Sequence, residues 1–296
     1  MDVETDALRW FQQVADGVTV TEVADLYMVS QPGVSRALAR LEDEVGTPLL
    51  ARSGRLLRPT HAGAVFKTHV DAVLHQLDDG LAAVNQLVEP ETGMVRVGYQ
   101  PSFGAWLVPR LVSAFRRQHP RIRFRLEPSD DTSETSLLTS GAVDLLLTAR
   151  RTSNPSVRWE RLFSQPFLLA VPAGHPLAGR PAVSLAEASQ DDFVMLRSSW
   201  DLRRVVDELC RSAGFRPRVA FEGDDLVVVR GLVASGLGVA VVPSADEEPE
   251  DGGRDDVRLV RLEDDGAYRD VGIAWPRNRR MLPSAELFRR HVLGHA

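Results

Sequence analysis

The sequence predicts a chain of two unlike parts, a small helical N-terminal part and a larger α/β part, joined by one long helix. Three observations support this fold class. Apolar residues recur at helical spacing in three short segments before residue 46, one such pattern runs unbroken over residues 60–88, and strands alternate with helices from residue 93 onwards. A length of 296 residues is sufficient for two or three domains with separate cores.

The three short helices have recognisable ends. The first is predicted from an apolar repeat formed by Leu8, Phe11, Val14 and Ala15. Thr19 or Thr21 can cap the second helix, and Ser30 can cap the third. Pro32 is compatible with the first turn of the third helix, and Gly46 ends it.

The two sides of the third helix differ in chemistry. One side is apolar and consists of Val34, Leu38, Leu41 and Val45. The other side carries residues suited to close contact with base edges or phosphates, namely Gln31, Pro32, Ser35, Arg36 and Arg40. Two capped helices joined by a tight turn are typical of a helix-turn-helix, and Thr21 in the second helix is then a further candidate DNA contact. The alternative is a surface helix with solvated arginines.

A β-hairpin is predicted over residues 48–60. Its apolar arms flank a basic tip that contains Arg52 and Arg55. A hairpin behind a helix-turn-helix is a wing, whose arginines reach backbone phosphates or the minor groove; the alternative is a solvated loop. The net charge of the chain is −6, but arginines concentrated between residues 36 and 58 can still give an acidic protein a basic face.

The long helix carries a heptad repeat. Its apolar positions alternate four and three residues apart, at Val70, Leu74, Leu77, Leu81, Val84 and Val88. Such a repeat predicts pairing with a second copy of the chain. The alternative is packing of this helix on the α/β part of the same chain.

The α/β part is expected to consist of mostly parallel strands that alternate with helices. The sequence predicts strands at residues 94–99, 121–127, 143–149, 166–171, 193–196, 218–222, 238–243, 257–262 and 270–275. It predicts helices at residues 107–118, 134–140, 202–212 and 225–235, and a last helix after Pro283.

The composition argues against several enzyme and membrane classes. Lys67 is the only lysine and Cys210 the only cysteine, and the sequence contains no P-loop, HExxH or GxSxG motif. No apolar run reaches the length of a membrane helix, and the acidic N-terminus does not resemble a signal peptide. We therefore expect a cytoplasmic protein that is not an enzyme, with no metal, cofactor or membrane partner.

These segments together resemble the LysR-type transcriptional regulators. The resemblance is specific in VSQPGVSRALARLEDEVGTPLLAR and RPTHAG, and looser in VRVGY, LVPRLVSAFRRQHPRIRFRL, GAVDLLLTA, LLAVPAGHPLAG and GLVASGLGVAVVP. It implies a winged helix-turn-helix DNA-binding domain at residues 1–59, a linker helix that pairs subunits at residues 60–89, and an effector-binding regulatory domain at residues 90–296. That last domain is expected to be periplasmic-binding-protein-like, with α/β subdomain I at residues 93–163 and 269–296 and α/β subdomain II at residues 164–268.

The resemblance also implies roles for individual residues. It places Gln31, Pro32, Ser35 and Arg36 against DNA, Arg52 in the wing, and effector contacts at Ser102, Arg197, Ser198 and Ser199. Ser102 and Ser199 each precede a helix, where an anion is favoured, although both could act only as helix caps. Asp131 or Thr132 falls where relatives often have a hydroxyl residue; an aspartate there would repel an anion, so the charge of the effector is left open.

The predicted function is sequence-specific transcriptional regulation, gated by a small-molecule effector of unknown identity that binds between the two subdomains. The implied partners are double-stranded promoter DNA, the effector, RNA polymerase and further copies of the chain in a homodimer or homotetramer, at the bacterial nucleoid. The alternative is a solute-binding or transport component that uses the same cleft without binding DNA, which leaves residues 1–60 without a purpose.

Overall fold

The computed structural model describes residues 4–53, 56–88, 92–129, 134–152, 154–244 and 256–295. We refer to residues 4–60 as the head. It contains three helices and a two-stranded hairpin, and it is followed by the long helix α4. The bounds are α1 Thr5–Ala15, α2 Val20–Leu26, α3 Gln31–Val45, β1 Leu50–Ser53, β2 Leu56–Pro59 and α4 His61–Val88.

Local capping sets the ends of the head helices. The hydroxyl of Thr19 accepts a hydrogen bond from the backbone N–H of Glu22, whose carboxylate accepts one in return from the N–H of Thr19. Ser30 caps α3 through the N–H of Gly33, and Gly46 ends α3 in the left-handed conformation, with φ of 79°. The predicted cap of α3 and its end at Gly46 are therefore confirmed, and Thr19 rather than Thr21 caps α2.

The backbone of the hairpin segment is held against α3 and α4. The carboxylate of Glu42 in α3 accepts hydrogen bonds from the N–H groups of Leu49 and Leu50, at 2.7 and 2.8 Å. Gly63 in the first turn of α4 lies so close to this strand that a Cβ atom would fall 1.9 Å from the carbonyl oxygen of Leu49. The start of α4 is thus packed directly on the backbone of the hairpin.

Helix α4 presents two kinds of apolar residue. Val70 and Leu74 are buried, and they belong to the core of the head together with Phe11 and Leu41. The expectation that these two residues face a second copy is wrong, because α1 of the same chain packs on the first half of α4. Further along the helix an exposed apolar stripe, which we call the α4 stripe, consists of Val73, Leu77, Leu81 and Val84. The side chain of Val88 lies outside the described residues.

The part of the chain after α4 forms two α/β subdomains. Its helices are α5 Leu107–Gln118, α6 Glu134–Ser140, α7 Asp201–Ser212, α8 Leu226–Ala234 and α9 Pro283–Gly294. Its strands are β3 Gly93–Tyr99, β4 Ile122–Pro128, β5 Leu145–Thr148, β6 Val157–Pro172, β7 Ala182–Val183, β8 Asp192–Leu196, β9 Arg218–Gly223, β10 Ala240–Pro243, β11 Val257–Leu262 and β12 Tyr268–Pro276. In the parts of the chain listed above, none of these helices or α1–α4 has the length and apolar character needed to cross a bilayer.

Strand β6 connects the two subdomains. Residues 157–166 pair antiparallel with β12 in subdomain I, and residues 167–172 pair antiparallel with β10 and β11 in subdomain II. The sheet is therefore mixed, and the expectation of mostly parallel strands is wrong for the strands around this crossing. The expected strand at residues 166–171 is only the second half of β6. Each subdomain has its own core, centred on Phe115 and Phe288 in subdomain I and on Phe167 and Phe193 in subdomain II.

Two adjacent aspartates of α4 join the head and subdomain I. Asp78 pairs with Arg9 of α1 through two contacts, at 2.5 and 3.3 Å. Asp79 is buried and pairs with Arg96 of β3 at 2.7 Å and with Arg279 at 3.4 Å. We call the second group, completed by Asp144, the ionic joint.

Asp144 is the second acid of the ionic joint. Its carboxylate accepts a hydrogen bond from the N–H of Arg96 at 2.8 Å and contacts Arg279 at 3.3 Å. Burial raises the pKa of Asp144, and the charges of Arg96 and Arg279 oppose that rise. The joint contains two carboxylates and two guanidinium groups, so its formal charge is balanced.

Candidate nucleic-acid interface and inter-subdomain cavity

The N-terminal half of α3 presents a polar surface to solvent. Val34, Leu38 and Leu41 point into the core of the head, so the other side of the helix faces outward. Four of the predicted DNA contacts on this helix are exposed and adjacent: Gln31, Pro32, Ser35 and Arg36. A helix whose N-terminal half is exposed in this way has the geometry of a recognition helix.

The remaining predicted DNA contacts differ in their surroundings. Thr21 is exposed in the first turn of α2, and Arg52 is exposed on β1. Arg40 is also exposed, but its guanidinium pairs with Glu4 at 2.6 Å, at the start of α1. Arg55 lies outside the described residues. The structure therefore brings Arg52 and the α3 residues to the surface of one small domain, while Arg40 is engaged within that domain.

A cavity of about 450 Å³ lies between the two subdomains. Subdomain I contributes the loop after β3 and the end of β5, and subdomain II contributes the ends of β8 and β10 and the starts of α7 and α8. The walls are largely apolar, with Ala105, Trp106, Ala149, Leu196, Trp200, Leu202, Val205, Leu226 and Val227. The volume and the apolar walls are typical of a small-molecule site.

Only part of the predicted effector set lines this cavity. Ser102 does. Arg197 does not, because its side chain turns outward and pairs with Asp224 at 2.8 Å. Ser198 and Ser199 are exposed and also absent from the lining, although Leu196 and Trp200 on either side belong to it. These three residues therefore do not line the cavity, and their contact with an effector stays a prediction. Asp131 and Thr132 lie outside the described residues.

A chain of hydrogen bonds crosses one side of the cavity. The guanidinium of Arg269 donates from Nη2 to the hydroxyl of Ser102, at 3.0 Å, and from Nε to Oε1 of Gln165, at 2.7 Å. The amide of Gln165 then donates to the carbonyl oxygen of Ser244. Arg269 also lies over the ring of Phe103, 4.9 Å from its centre. These contacts join subdomain I, the crossing strand β6 and the end of β10.

An ion pair also bridges the two subdomains. Asp201 at the start of α7 accepts a hydrogen bond from Arg204 at 3.0 Å and pairs with Arg150, which follows β5 in subdomain I, at 3.5 Å. All three side chains line the cavity. The carboxylate of Asp201 is thus shared between the two walls.

Several of these lining residues were not predicted from the sequence. Trp106, Trp200 and Arg269 come from three separate segments, and no short-range spacing connects them. Trp106 and Trp200 each lie within four residues of a serine that is predicted to contact effector, Ser102 and Ser199 respectively. The sequence therefore indicates the two loops that border the cavity but not the tryptophans that line it.

Cys210 has the environment of a packing residue. Its side chain is completely buried in the core of subdomain II, next to Val206 and Leu209. Burial raises the pKa of the Cys210 thiol to about 12, so the reactive thiolate is scarcely populated at neutral pH.

Comparisons with known proteins agree with this architecture. A model of bacterial regulatory helix-turn-helix proteins of the lysR family matches residues 5–64, and a model of the LysR substrate binding domain matches residues 89–296. The transcriptional dual regulator GltC of Bacillus subtilis is 32% identical over 295 residues, which cover 98% of this chain and 97% of GltC. The HTH-type transcriptional regulator YybE of the same organism is 32% identical over 295 residues, which cover 99% of each chain.

A solved structure shows the same fold. Full-length CbnR complexed with its target DNA superposes with a TM-score of 0.76 at 20% identity, covering 99% of this chain and 100% of that chain. The alternative of a solute-binding component without a DNA-binding domain is not favoured, because residues 5–64 match the helix-turn-helix model. The chain therefore belongs to the LysR family of transcriptional regulators, in which a helix-turn-helix DNA-binding domain is joined to an effector-binding domain.

Proposed function

We propose that this regulator binds promoter DNA as a homodimer or homotetramer, and that a small molecule in the inter-subdomain cavity controls the placement of its DNA-binding heads. The observation that carries the proposal is the presence, in one chain, of an exposed polar α3 and of a largely apolar cavity between two subdomains. The relatives are named as transcriptional regulators, which supports a regulator rather than an enzyme.

On the DNA side, α3 enters the major groove. Gln31 and Arg36 are suited to adenine and guanine edges, respectively, and Ser35 to either base or phosphate. Arg52 on the wing reaches the backbone beside the groove. Thr21 in the first turn of α2 adds a hydroxyl contact to phosphate.

On the assembly side, the α4 stripe joins two chains. Each of its four residues is between 42% and 61% exposed, which is unusual for a row of large apolar side chains on one helix. At 100° per residue the four positions fall within about a quarter turn of the helix. A second copy of α4 laid along this row would remove it from water.

On the regulatory side, the effector is bound by both subdomains, so it favours the closed cleft over the open one. Closure changes the relative placement of the heads in the assembly, and with it the bend of the DNA and the contact with RNA polymerase at the bacterial nucleoid. The proposal includes no metal or cofactor.

The DNA contact is tested by gel shift with the DNA that flanks the protein's own gene. We expect binding that weakens steeply with salt and a loss of about 1–3 kcal/mol for Arg36→Ala, which is about 5- to 150-fold in affinity. The control is Arg211→Ala, an exposed arginine in the last turn of α7. Unchanged affinity together with unchanged sequence preference for Arg36→Ala would refute the contact.

The assembly is tested by light scattering of a double variant, Leu77→Asp with Leu81→Asp. We expect a monomer, because two charges would lie in the paired stripe. Thr68→Asp is the control, since Thr68 is exposed on the opposite side of α4 and should leave the assembly intact. A double variant with the same mass in solution as the wild type would exclude the α4 stripe as the interface.

A further inference from the structure

The ionic joint lies where a turn of subdomain I closes around two arginines. This turn connects α6 with β5. The carbonyl oxygen of Gly141 accepts a hydrogen bond from Nη1 of Arg96 at 2.9 Å. That of Val143 accepts one from Nη2 of Arg279 at 3.4 Å. The backbone of subdomain I thus holds both guanidinium groups in positions from which they pair with Asp79 of α4.

The same turn also contacts α4 directly. Nδ1 of the His75 ring lies 3.0 Å from the carbonyl oxygen of Ser140. Gly141 has a φ of 84°, and a Cβ atom at this position would fall 3.1 Å from the Cβ atom of His75. Further along α4, Ala82 and Ala83 pack against the core of subdomain I. Polar bonds, a close approach of the backbone and apolar packing therefore join the second half of α4 to subdomain I.

The two arginines of the joint belong to segments that also reach the cavity. Arg96 lies in β3, and Gln100 and Ser102, just after the end of that strand, line the cavity. Arg279 follows the end of β12, whereas Arg269, near the start of β12, lines the cavity. Both strands pair with β5 in the sheet of subdomain I. One hydrogen-bonded sheet therefore carries the joint at one end and a wall of the cavity at the other.

The head is fixed to the first half of the same helix. Val70 and Leu74 are buried in the core of the head, and Asp71 accepts a hydrogen bond from the side chain of Gln12 in α1 at 2.7 Å. A single helix of 28 residues carries these contacts and those of the joint. The head and subdomain I are therefore held by one continuous element.

The ion pair across the cavity is more exposed than the joint. Arg150 and Asp201 lie 3.5 Å apart, and 52% and 23% of their side chains are exposed. In the joint, the side chain of Asp79 is 8% exposed and lies 2.7 Å from that of Arg96. Solvent and salt screen an exposed pair, whereas they hardly weaken the attraction within a buried one. The ion pair between the two subdomains should therefore separate more easily than the joint between subdomain I and α4.

We propose that the ionic joint makes the head, α4 and subdomain I of one chain a single rigid body, so that the cleft opens and closes by movement of subdomain II. Asp79 and Arg279 are its positioning residues, because they connect α4 with the segment that follows β12. Neither residue belongs to the lining of the cavity. The inference rests on the proposed control by a small molecule and names the part of the chain that moves.

The test measures distances within one chain by energy transfer between two dyes, on single molecules of the full-length protein. Azidophenylalanine in place of Asp43 in the head and of Arg117 in subdomain I provides two exposed attachment points. An excess of undyed chains ensures that each assembly contains one dyed chain. We expect one narrow transfer efficiency for this pair. A second pair, with Arg211 of subdomain II in place of Arg117, should give a broader distribution.

The variant that breaks the joint combines Asp79→Asn with Arg279→Met. It leaves one guanidinium, Arg96, and one carboxylate, Asp144, so the loss of position is separated from the cost of an unbalanced buried charge. We expect the single efficiency of the first pair to be lost, because α4 is no longer tied to subdomain I by charge. Asp78→Asn, the neighbouring change outside the joint, should retain it. Retained gel shift of promoter DNA shows that the head of each variant is folded.

Three results would overturn the proposal. The first is a wild-type chain in which the head and subdomain I give several transfer efficiencies. The second is a joint variant that keeps the single efficiency, and the third is a pair between the head and subdomain II that is as narrow as the first pair. None of these results affects the promoter gel shift of the wild type. A wild type that binds no promoter DNA would instead contradict the proposed function and leave the measured distances unchanged.

Discussion

Replacing Asp79 by Asn removes one charge from the ionic joint between α4 and subdomain I. The side chain of Asp79 is only 8% exposed, and those of its partners Arg96 and Arg279 are 15% and 16% exposed. In the wild type two carboxylates balance two guanidinium groups. In the variant Asp144 alone faces both arginines, so one buried positive charge is left over.

The size of the effect follows from this burial. Removing one partner of a buried ion pair costs about 3–5 kcal/mol, because the other partner remains desolvated. The adjacent Asp78 provides a matched control, since Asp78→Asn is the same change one residue earlier in the same helix. The side chain of Asp78 is 42% exposed and that of Arg9 is 26% exposed, so this variant should lose about 0.2–1 kcal/mol.

The measurement is urea unfolding of the full chain, followed by circular dichroism, with hydrogen exchange of residues 61–88 to locate the change. The chain has several cores, so the unfolding midpoint and the slope are compared for each transition rather than forced into one. Adding Arg279→Met to Asp79→Asn restores the charge balance and should recover part of the loss. If Asp79→Asn were no more costly than Asp78→Asn, burial of the joint would not determine its contribution, and the reasoning would fail.

Two other predictions concern packing and protonation. Gly63→Ala should destabilise the head by about 3 kcal/mol, because the new Cβ would fall 1.9 Å from the carbonyl oxygen of Leu49. Gly80→Ala in the same helix is the control. Its new Cβ meets no atom within 4 Å, so this variant should stabilise the protein by about 0.5–1 kcal/mol. Equal thermal unfolding midpoints for the two variants would contradict this. Burial first, and then the charge of His295, lower the pKa of His291 from 6.5, so its contribution to stability is present above that pH and is lost as the pH falls through the folded pKa. When the pH is lowered from about 7.5 to about 5, the His291→Phe variant should therefore lose less free energy of unfolding than the wild type, as measured by urea unfolding. An equal loss in both proteins would show that another group is responsible.

The head was largely predictable because its signals are short-range. A cap at Ser30, a stop at Gly46 and an apolar side at four-three-four spacing are each readable within one turn or two of helix. The same kind of short-range signal also predicts the length of α4. They could not separate Val70 and Leu74, which the head covers, from Leu77 and Leu81, which it does not. All four have the same spacing, and only the position of α1 in space distinguishes them.

The cavity was less predictable because its residues meet over long distances in the sequence. Ser102 and Arg269 are hydrogen-bonded but lie 167 residues apart. The first half of β6 was not predicted as a strand, because residues 157–165 mix arginine, glutamate and serine with apolar residues and precede Pro166. That half is nevertheless a strand, because its backbone pairs with β12 along its length, apart from one irregularity between Val271 and Gly272. Without the crossing strand, the closeness of Gln165 to Arg269 and Ser244 could not be inferred.

The burial of Cys210 has a practical consequence for following this regulator in motion. The native protein offers no other thiol, and this one is too deep and too weakly acidic for maleimide or methanethiosulfonate reagents to reach at neutral pH. A single substitution such as Asp43→Cys on the exposed side of α3 would therefore carry one spin label or fluorophore per chain with no background. The distance between two such labels in an assembled regulator would report directly on the distance between its two heads before and after a small molecule binds.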